Sequence, residues 1–369
     1  MTVKIEIVKE DDREEWDKLV EASPHSTIFH TWKWLKIMEK YSWMKTIMKK
    51  RVKCKLYPVI GLKGETQIGV FPLFLYNSSL FRMVASPPSK VEVHYLGPVL
   101  VDYDKLKQDK KELIHVEFQK KVEEFIVSEL KADYISIKTP PDMIDCRPFL
   151  WSGYEVKPRY NYIFSLNNGK DYLWKGFKKE LRKKITIAEK MGISIEEGSK
   201  KELGRIYADY SAKFESQGLR INFSKEYLFD VYDAFYPHNL KVFVARYQGE
   251  FASGMIATCF RNIFSVWIGL VKPSLKAIPS NDLLHWETIK WAIDNGFKYY
   301  EMTWANTPRL NPFKSKYNPD LSIYFSATKH TSFLSKLIDV GYTRILKSMS
   351  MRRKRNINKG NKGNKGNKG

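Results

Sequence analysis

Two lysines set between aromatic rings close the stretch Gly296–Asn318, which reads GFKYYEMTWANTPRLNPFKSKYN. Gly296 ends a helix, Tyr299–Thr303 is a short aromatic strand, and a polar crossing with Trp304 and Asn306 leads into Phe313-Lys314-Ser315-Lys316-Tyr317-Asn318. A lysine packed beside a phenylalanine and a tyrosine, just past the end of a strand, can aim a fixed positive charge at a developing oxyanion. Such a placement is worth about 3 kcal/mol of transition-state stabilisation. The same residues also make a basic surface turn, so the choice depends on the elements that position them.

Those elements repeat along the chain. A meander is expected from Leu56–Leu62, Gln67–Tyr76 and Phe81–Ala85, with turns at Lys63-Gly64-Glu65 and Asn77-Ser78. A second passage, 185 residues on, matches Gly64-Glu65-Thr66-Gln67-Ile68-Gly69 with Gly249-Glu250-Phe251-Ala252-Ser253-Gly254. Each meander is followed by a helix and a strand: Val116–Leu130 with Tyr134–Lys138, and Ser280–Asn295 with Tyr299–Thr303. Strand order, glycine spacing and the following helix agree, which implies two copies of one α/β unit.

Ahead of the first meander, a strand at residues 3–8 precedes helices at Asp11–Ala22 and Thr31–Tyr41, with Ser23-Pro24 breaking the first. Ahead of the second, a strand at Asn161–Leu166 leads into one expected helix, Tyr172–Met191. Its apolar residues Leu173, Phe177, Leu181, Ile185 and Ala188 share a stripe. Lys175, Lys178, Lys179, Arg182, Lys183 and Lys190 cover the rest, a basic face suited to RNA or lipid phosphate, and Gly192 supplies the stop. Helices at Lys200–Gln217 and Lys225–Phe235 follow.

The 369 residues carry a formal charge of +22, of which eight Lys and Arg fall between Met351 and Gly369. The remaining +14 favours an anionic partner such as nucleic acid, a phosphorylated precursor or an acidic membrane face. Residues 349–369 end in Asn-Lys-Gly triplets with no apolar residue after Ile357, which predicts a disordered basic tail able to tether electrostatically to an acidic membrane. Cys54, Cys146 and Cys259 form no metal or disulfide pattern. The charged first twenty residues and the absence of a long apolar run point to a cytoplasmic chain, with any membrane contact peripheral at the inner face. Seven scattered histidines show no ligand spacing, and no G-x-S-x-G, Walker A or GxGxxG motif is present, so no metal site, hydrolase, ATPase or dinucleotide function is expected. His285 lies on a largely apolar helix and reads as a packed structural residue.

A meander, a helix and a further strand resemble the GNAT acyltransferase core. Enzymes of that kind place a glycine-rich turn before the helix so that backbone N–H groups reach the pyrophosphate of coenzyme A. The matching loop here, Lys276-Ala277-Ile278-Pro279-Ser280-Asn281, has no glycine, and Pro279 removes a donor. A duplicated GNAT-like unit without that loop resembles the FemAB family of aminoacyl-tRNA-dependent transferases and related FemAB-like acyltransferases, over roughly residues 3–345. The residues that carry the resemblance are Ser23-Pro24 with Trp34-Leu35-Lys36, LRKKITIAEKMGISI, WIGLV, HWETIKWAIDNGFKYYEM, and Phe313-Lys314 with Tyr317.

The resemblance implies an α/β (α+β) fold of two tandem GNAT-like domains with mixed, mostly antiparallel sheets, at residues 1–155 and 156–348. It assigns Lys314 to the oxyanion and the leaving oxygen, with Phe313 and Tyr317 packed around it. Lys36 falls to an acceptor phosphate; Trp304, Asn306, Arg182, Lys183 and Arg220 are the further substrate contacts. Two departures stand out: Asn318 occupies a family glycine position, and Arg220 lies a few residues from where the family has an arginine. The implied reaction moves an aminoacyl or acyl group from an activated donor, such as aminoacyl-tRNA, to an amine on an anionic phosphorylated acceptor, for instance a cell-envelope precursor. An ester donor is already activated, so no bound cofactor is required. Two other readings stay open: an N-acyltransferase using acyl-CoA or an acyl carrier, and a non-catalytic RNA- or membrane-binding protein.

Overall fold

A computed structural model describes residues 2–46, 50–269, 278–333 and 335–336. The elements of the first repeat are β1 (Val3–Ile7), α1 (Arg13–Ala22), α2 (Trp32–Tyr41), β2 (Trp43–Lys45), β3 (Arg51–Lys63), β4 (Thr66–Asn77), β5 (Arg82–Ser86), β6 (Val99–Leu100), α3 (Gln108–Ser128), β7 (Tyr134–Lys138) and α4 (Arg147–Trp151). The second has β8 (Glu155–Ser165), α5 (Gly169–Gly176), α6 (Lys179–Lys190), β9 (Ser194–Glu197), α7 (Lys200–Ser216), α8 (Lys225–Phe235), β10 (Leu240–Tyr247), β11 (Glu250–Phe260), β12 (Ile263–Gly269), α9 (Ser280–Asp294), β13 (Tyr299–Met302), α10 (Asn311–Lys314) and β14 (Asp320–His330). The basic tail expected at residues 349–369 lies outside the described residues.

One mixed sheet joins both repeats in the order β1-β3-β4-β5-β7-β14-β8-β13-β12-β11-β10-β9. The halves mirror each other. In each, a meander (β3-β4-β5, β10-β11-β12) is followed by a helix and by a strand parallel to the meander's last member: β5 with β7, and β12 with β13. The duplication read from the glycines is therefore a duplication of topology. Gly69 and Gly254 also share a physical reason. A Cβ on Gly69 would stand 2.7 Å from the Val99 carbonyl, and one on Gly254 would stand 2.6 Å from Ile206. In each hairpin the missing side chain lets another element close on the sheet.

Strand alternation divides the core. Val70, Phe74, Val242 and Val244 face one side, where α1, α2, α7 and α8 share a single core across both halves. Phe71, Leu73 and Ile135 face the other side under α3, while Phe243, Phe264 and Tyr300 do so under α6 and α9.

Two expectations need correction. The predicted helix Tyr172–Met191 is two helices, broken at Phe177, whose ψ of 145° is extended. The break buries the Phe177 ring and lets the Lys178 amide donate to the Lys316 carbonyl at 3.0 Å, which a continuous helix would forbid. Helix α3 begins at Gln108, ahead of the predicted Val116, because its first turn is polar and carries no apolar period.

Candidate active site

At the centre of the sheet, β14 returns from the end of the second repeat to lie antiparallel between β7 and β8. Neighbours in register share a face, so Lys138, Ser326, Tyr324, Arg159, Asn161, Ile163 and Glu301 all lie on the side of the shared core. Flanks of this face are apolar; its middle is polar.

Glu301 is buried on β13, and its carboxylate accepts from Tyr95 Oη (2.8 Å), Ser265 Oγ (2.5 Å) and Asn161 Nδ2 (2.8 Å). Burial raises its pKa against those three donors. Glu301 also forms part of the wall of a cavity of about 100 Å³ whose lining includes His25, Asp142, Tyr95 and Ser265. Asn161 turns its other amide atom to the next residues along: Oδ1 accepts from the Trp304 amide at 3.1 Å. Trp304 has a φ of +65°, a conformation costly for a bulky side chain, and its indole donates to His94 Nε2 at 2.9 Å. Asn306 pins the same crossing to β8, donating to the Tyr160 carbonyl and accepting from its amide, both at 2.9 Å.

Strands β12 and β13 pair only from Ile263–Tyr299 to Val266–Met302, after which β12 continues on β11 to Gly269. Trp267 is an extra residue in β12, because Ile268 pairs with Ile256 and Val266 with Ala257. Such a bulge bends a strand and re-aims its side chains; here the indole donates to the Glu92 carbonyl at 2.5 Å. In the first repeat the matching divergence of β5 and β7 is occupied: Leu96 N donates to the Lys138 carbonyl (3.0 Å) and Gly97 N to Ser86 Oγ (3.1 Å). The two repeats thus share a topology but not an opening.

Lys314 enters the second opening. Its Nζ donates to the Thr303 carbonyl and, at 3.3 Å, to the Trp304 carbonyl. Burial pushes its pKa down to about 8, against the pull of the Glu301 carboxyl. Its charge in turn contributes to lowering two histidines that belong to opposite sides of the sheet, His94 to about 3 and His285 well below its ordinary value, although burial is the main cause for both. Phe313 packs on His285 and Tyr317, and Tyr317 is buried against Phe177 with its hydroxyl 3.3 Å from Asp282. His285 is buried as expected, bonded through Nδ1 to Tyr300 Oη at 2.8 Å. Lys316 is not a surface charge: its side chain is 15% exposed and ion-paired with Asp282 at the start of α9. Asn318 has φ +57° and ψ +47°, the left-handed backbone that glycine or asparagine adopts, which accounts for its standing where the family has glycine.

The remaining predicted residues lie apart from this centre. Lys36 Nζ is held by Glu39 at 2.8 Å and Glu10 at 3.5 Å. The Arg182 guanidinium donates to the carbonyls of Trp174 (3.3 Å), Lys175 (2.9 Å) and Phe177 (2.9 Å), closing the end of α5. Lys183 and Arg220 are exposed, on α6 and on the α7–α8 connection. Sequence reasoning missed Glu301, Asn161 and His94. A lone acid inside the aromatic strand YYEM was the one signal that pointed toward them.

A family model described as a GNAT acetyltransferase domain matches residues 175–315, ending one residue past Lys314. The crystal structure of FemX superposes with a TM-score of 0.63 at 14% identity, over 87% of this chain and 96% of that one. In fold, the chain resembles FemX. A conserved protein of unknown function from Bacteroides thetaiotaomicron VPI-5482 superposes at 0.53 and 11% identity, over 89% of this chain and all (100%) of that one. No curated protein matches in sequence. The likeness to FemX is thus one of shape, and the family model covers most of the second repeat, the one with the open strand pair. No helix of the described residues is long and apolar enough to cross a membrane, and no group of three or more metal-ligating side chains occurs among them.

Proposed function

We propose that the protein is an acyltransferase that moves an aminoacyl or acyl group from an activated ester, such as aminoacyl-tRNA, to an amine. One observation carries this reading: a half-buried lysine ammonium is pinned by the two backbone carbonyls that follow β13, where it parts from the parallel strand β12. An ammonium has three N–H donors, and the carbonyls of Thr303 and Trp304 take two. The third is left for an oxyanion. The amine nitrogen bonds to the ester carbon, the carbonyl oxygen gains charge, and the C–O bond to the leaving group then breaks. Lys314 donates first to the oxyanion and then to the departing oxygen, while the amine releases its proton to solvent. Phe313 and Tyr317 pack with His285 beneath the turn that carries Lys314, and the Trp304–Asn306 crossing forms the wall that substrate meets.

An aminoacyl donor agrees with the FemAB-like fold, and the basic face of α5 and α6 suits an RNA donor. Pro279 at the start of α9 disfavours the coenzyme A alternative. The test is a donor panel of charged tRNAs, acyl-CoA species and acyl carrier protein, with phosphorylated cell-envelope precursors as amine acceptors. Transfer from charged tRNA that Lys314→Met abolishes supports the proposal; transfer from acyl-CoA alone replaces the donor; no transfer from any donor rejects the enzyme reading in favour of a binding protein.

A further inference from the structure

Most lysines and arginines near acids in this chain are answered by them: Lys36, Lys40, Lys63, Lys157, Lys241 and Lys329 each have a carboxylate within 4 Å. Two cations at the centre of the sheet are not. Lys138, the last residue of β7, pairs in register with Ser326, and Arg159 of β8 pairs with Tyr324, two residues along the same strand β14. They therefore rise on one face from the two strands flanking β14, about 12 Å apart at the backbone by two strand spacings and a two-residue offset. Neither makes an ion pair or a side-chain hydrogen bond among the described residues. Lys157, on the same face and level with Lys138 across Ser326, is paired with Glu155 at 2.7 Å, so of these three cations Lys138 and Arg159 are left without a carboxylate.

The setting makes this costly unless something anionic completes it. Lys138 is half-buried and Arg159 exposed, so a ligand has access from solvent. The charge of Lys138 is opposed by that of Arg159 and supported by Glu92, whose own carboxyl burial pushes up to about 7. Near neutral pH Glu92 compensates at most one of the two cations, and only in part. Burial, and after it the charges of Lys138 and Lys314, lower the pKa of the His94 imidazole, so both lysines lie within electrostatic reach of that ring. His94 in turn holds the indole of Trp304, which is 42% exposed. Lys138 and Lys314 thus both stand near the His94–Trp304 pair, with Arg159 beyond Lys138 on the same face.

We propose that Lys138 and Arg159 form a phosphate-binding site that seats the phosphorylated end of a substrate whose reacting group lies at Lys314. The inference rests on the acyl-transfer reading for the substrate's role, but not for the binding itself. A guanidinium grips phosphate through two parallel N–H donors and an ammonium adds a point charge. Lys36, the residue expected from sequence to hold an acceptor phosphate, is already engaged by Glu39 and Glu10. The phosphate chemistry fits either a nucleotide end of the donor or a diphosphate of the acceptor.

Calorimetric titration of the full chain with adenosine 5′-monophosphate and, separately, inorganic pyrophosphate tests this. Tighter binding of the first identifies the donor end and tighter binding of the second the acceptor. Lys138→Met and Arg159→Gln should each weaken binding at least tenfold, Lys138→Arg should retain most of it, Glu92→Gln should tighten it, and Lys314→Met should leave it unchanged. Unaltered affinity in the folded double variant Lys138→Met/Arg159→Gln, or no binding to the native chain at millimolar ligand, overturns the site. In the transfer assay the same variants should raise KM and spare kcat. Should every donor fail, the acyl-transfer reading falls while the titration still decides the phosphate site.

Discussion

Asn161 Nδ2 donates to the buried Glu301 carboxylate at 2.8 Å while its Oδ1 accepts from the Trp304 amide at 3.1 Å, so one side chain ties a buried acid to a strained backbone. The carbonyl of that same Trp304 receives Lys314. The position of the lysine thus depends on a residue 153 positions earlier in the chain.

Replacing Asn161 by alanine should release Trp304 from its left-handed conformation and loosen the seat of Lys314. Transfer should fall about 10-fold or more in kcat, since small misplacements of a positioned group are costly. Steady-state kinetics beside a melting curve checks it: a loss of kcat far beyond that expected from any unfolded fraction at assay temperature supports positioning.

Lys314→Met should lower kcat by about 10² to 10³ and leave KM nearly unchanged, the signature of an interaction made only in the transition state. Near-normal turnover removes Lys314 from the chemistry.

The pH profile offers a second view of the same group. The pKa near 8 leaves the ammonium protonated below that value, so kcat should fall as pH rises through about 8. Lys314→Arg, charged throughout, should lose that alkaline fall even at a lower absolute rate.

Glu301 sets a pH dependence of stability with the opposite origin. Its folded pKa is raised, so between the ordinary carboxyl value of 4.5 and the folded value the native state holds more protons than the unfolded one. Stability contributed by this group is therefore greatest at low pH and declines through that window. Comparing the melting of Glu301→Gln with the native chain from pH 4 to 8 should show the difference shifting in favour of the variant as pH rises.

Asp282 and Lys316 form a pair with side chains only 8% and 15% exposed. Removing the acid alone leaves an unanswered buried ammonium, at a cost of about 3–5 kcal/mol. Asp282→Ala should melt well below the native chain, and the double variant Asp282→Leu/Lys316→Met should recover much of the loss.

The repeats were legible because meanders and helices announce themselves through period and turn residues, and the glycine pattern at Gly64–Gly69 returned at Gly249–Gly254. Lys314 was legible because its neighbours Phe313 and Tyr317 lie within one turn of it. Glu301, Asn161 and Tyr95 were not, since they meet only when three separate strands and loops come together and each looks like an ordinary strand residue on its own. The break at Phe177 was equally hidden: its apolar period continues through it, and only the Lys316 carbonyl waiting for the Lys178 amide explains it. The face carrying Lys138 and Arg159 follows from β14, a strand whose partners lie more than 150 residues upstream.

That returning strand also bears on how the chain is made. While the polypeptide emerges from the ribosome, β7 has β5 beside it but an open edge on its other side until residues 320–330 appear. The middle of the sheet closes only after β14 has been made. Contacts of such long sequence separation form slowly, and an open β7 edge invites mispairing in the interval. A nascent chain stopped before β14 would hold both meanders but a sheet still open between β7 and β8.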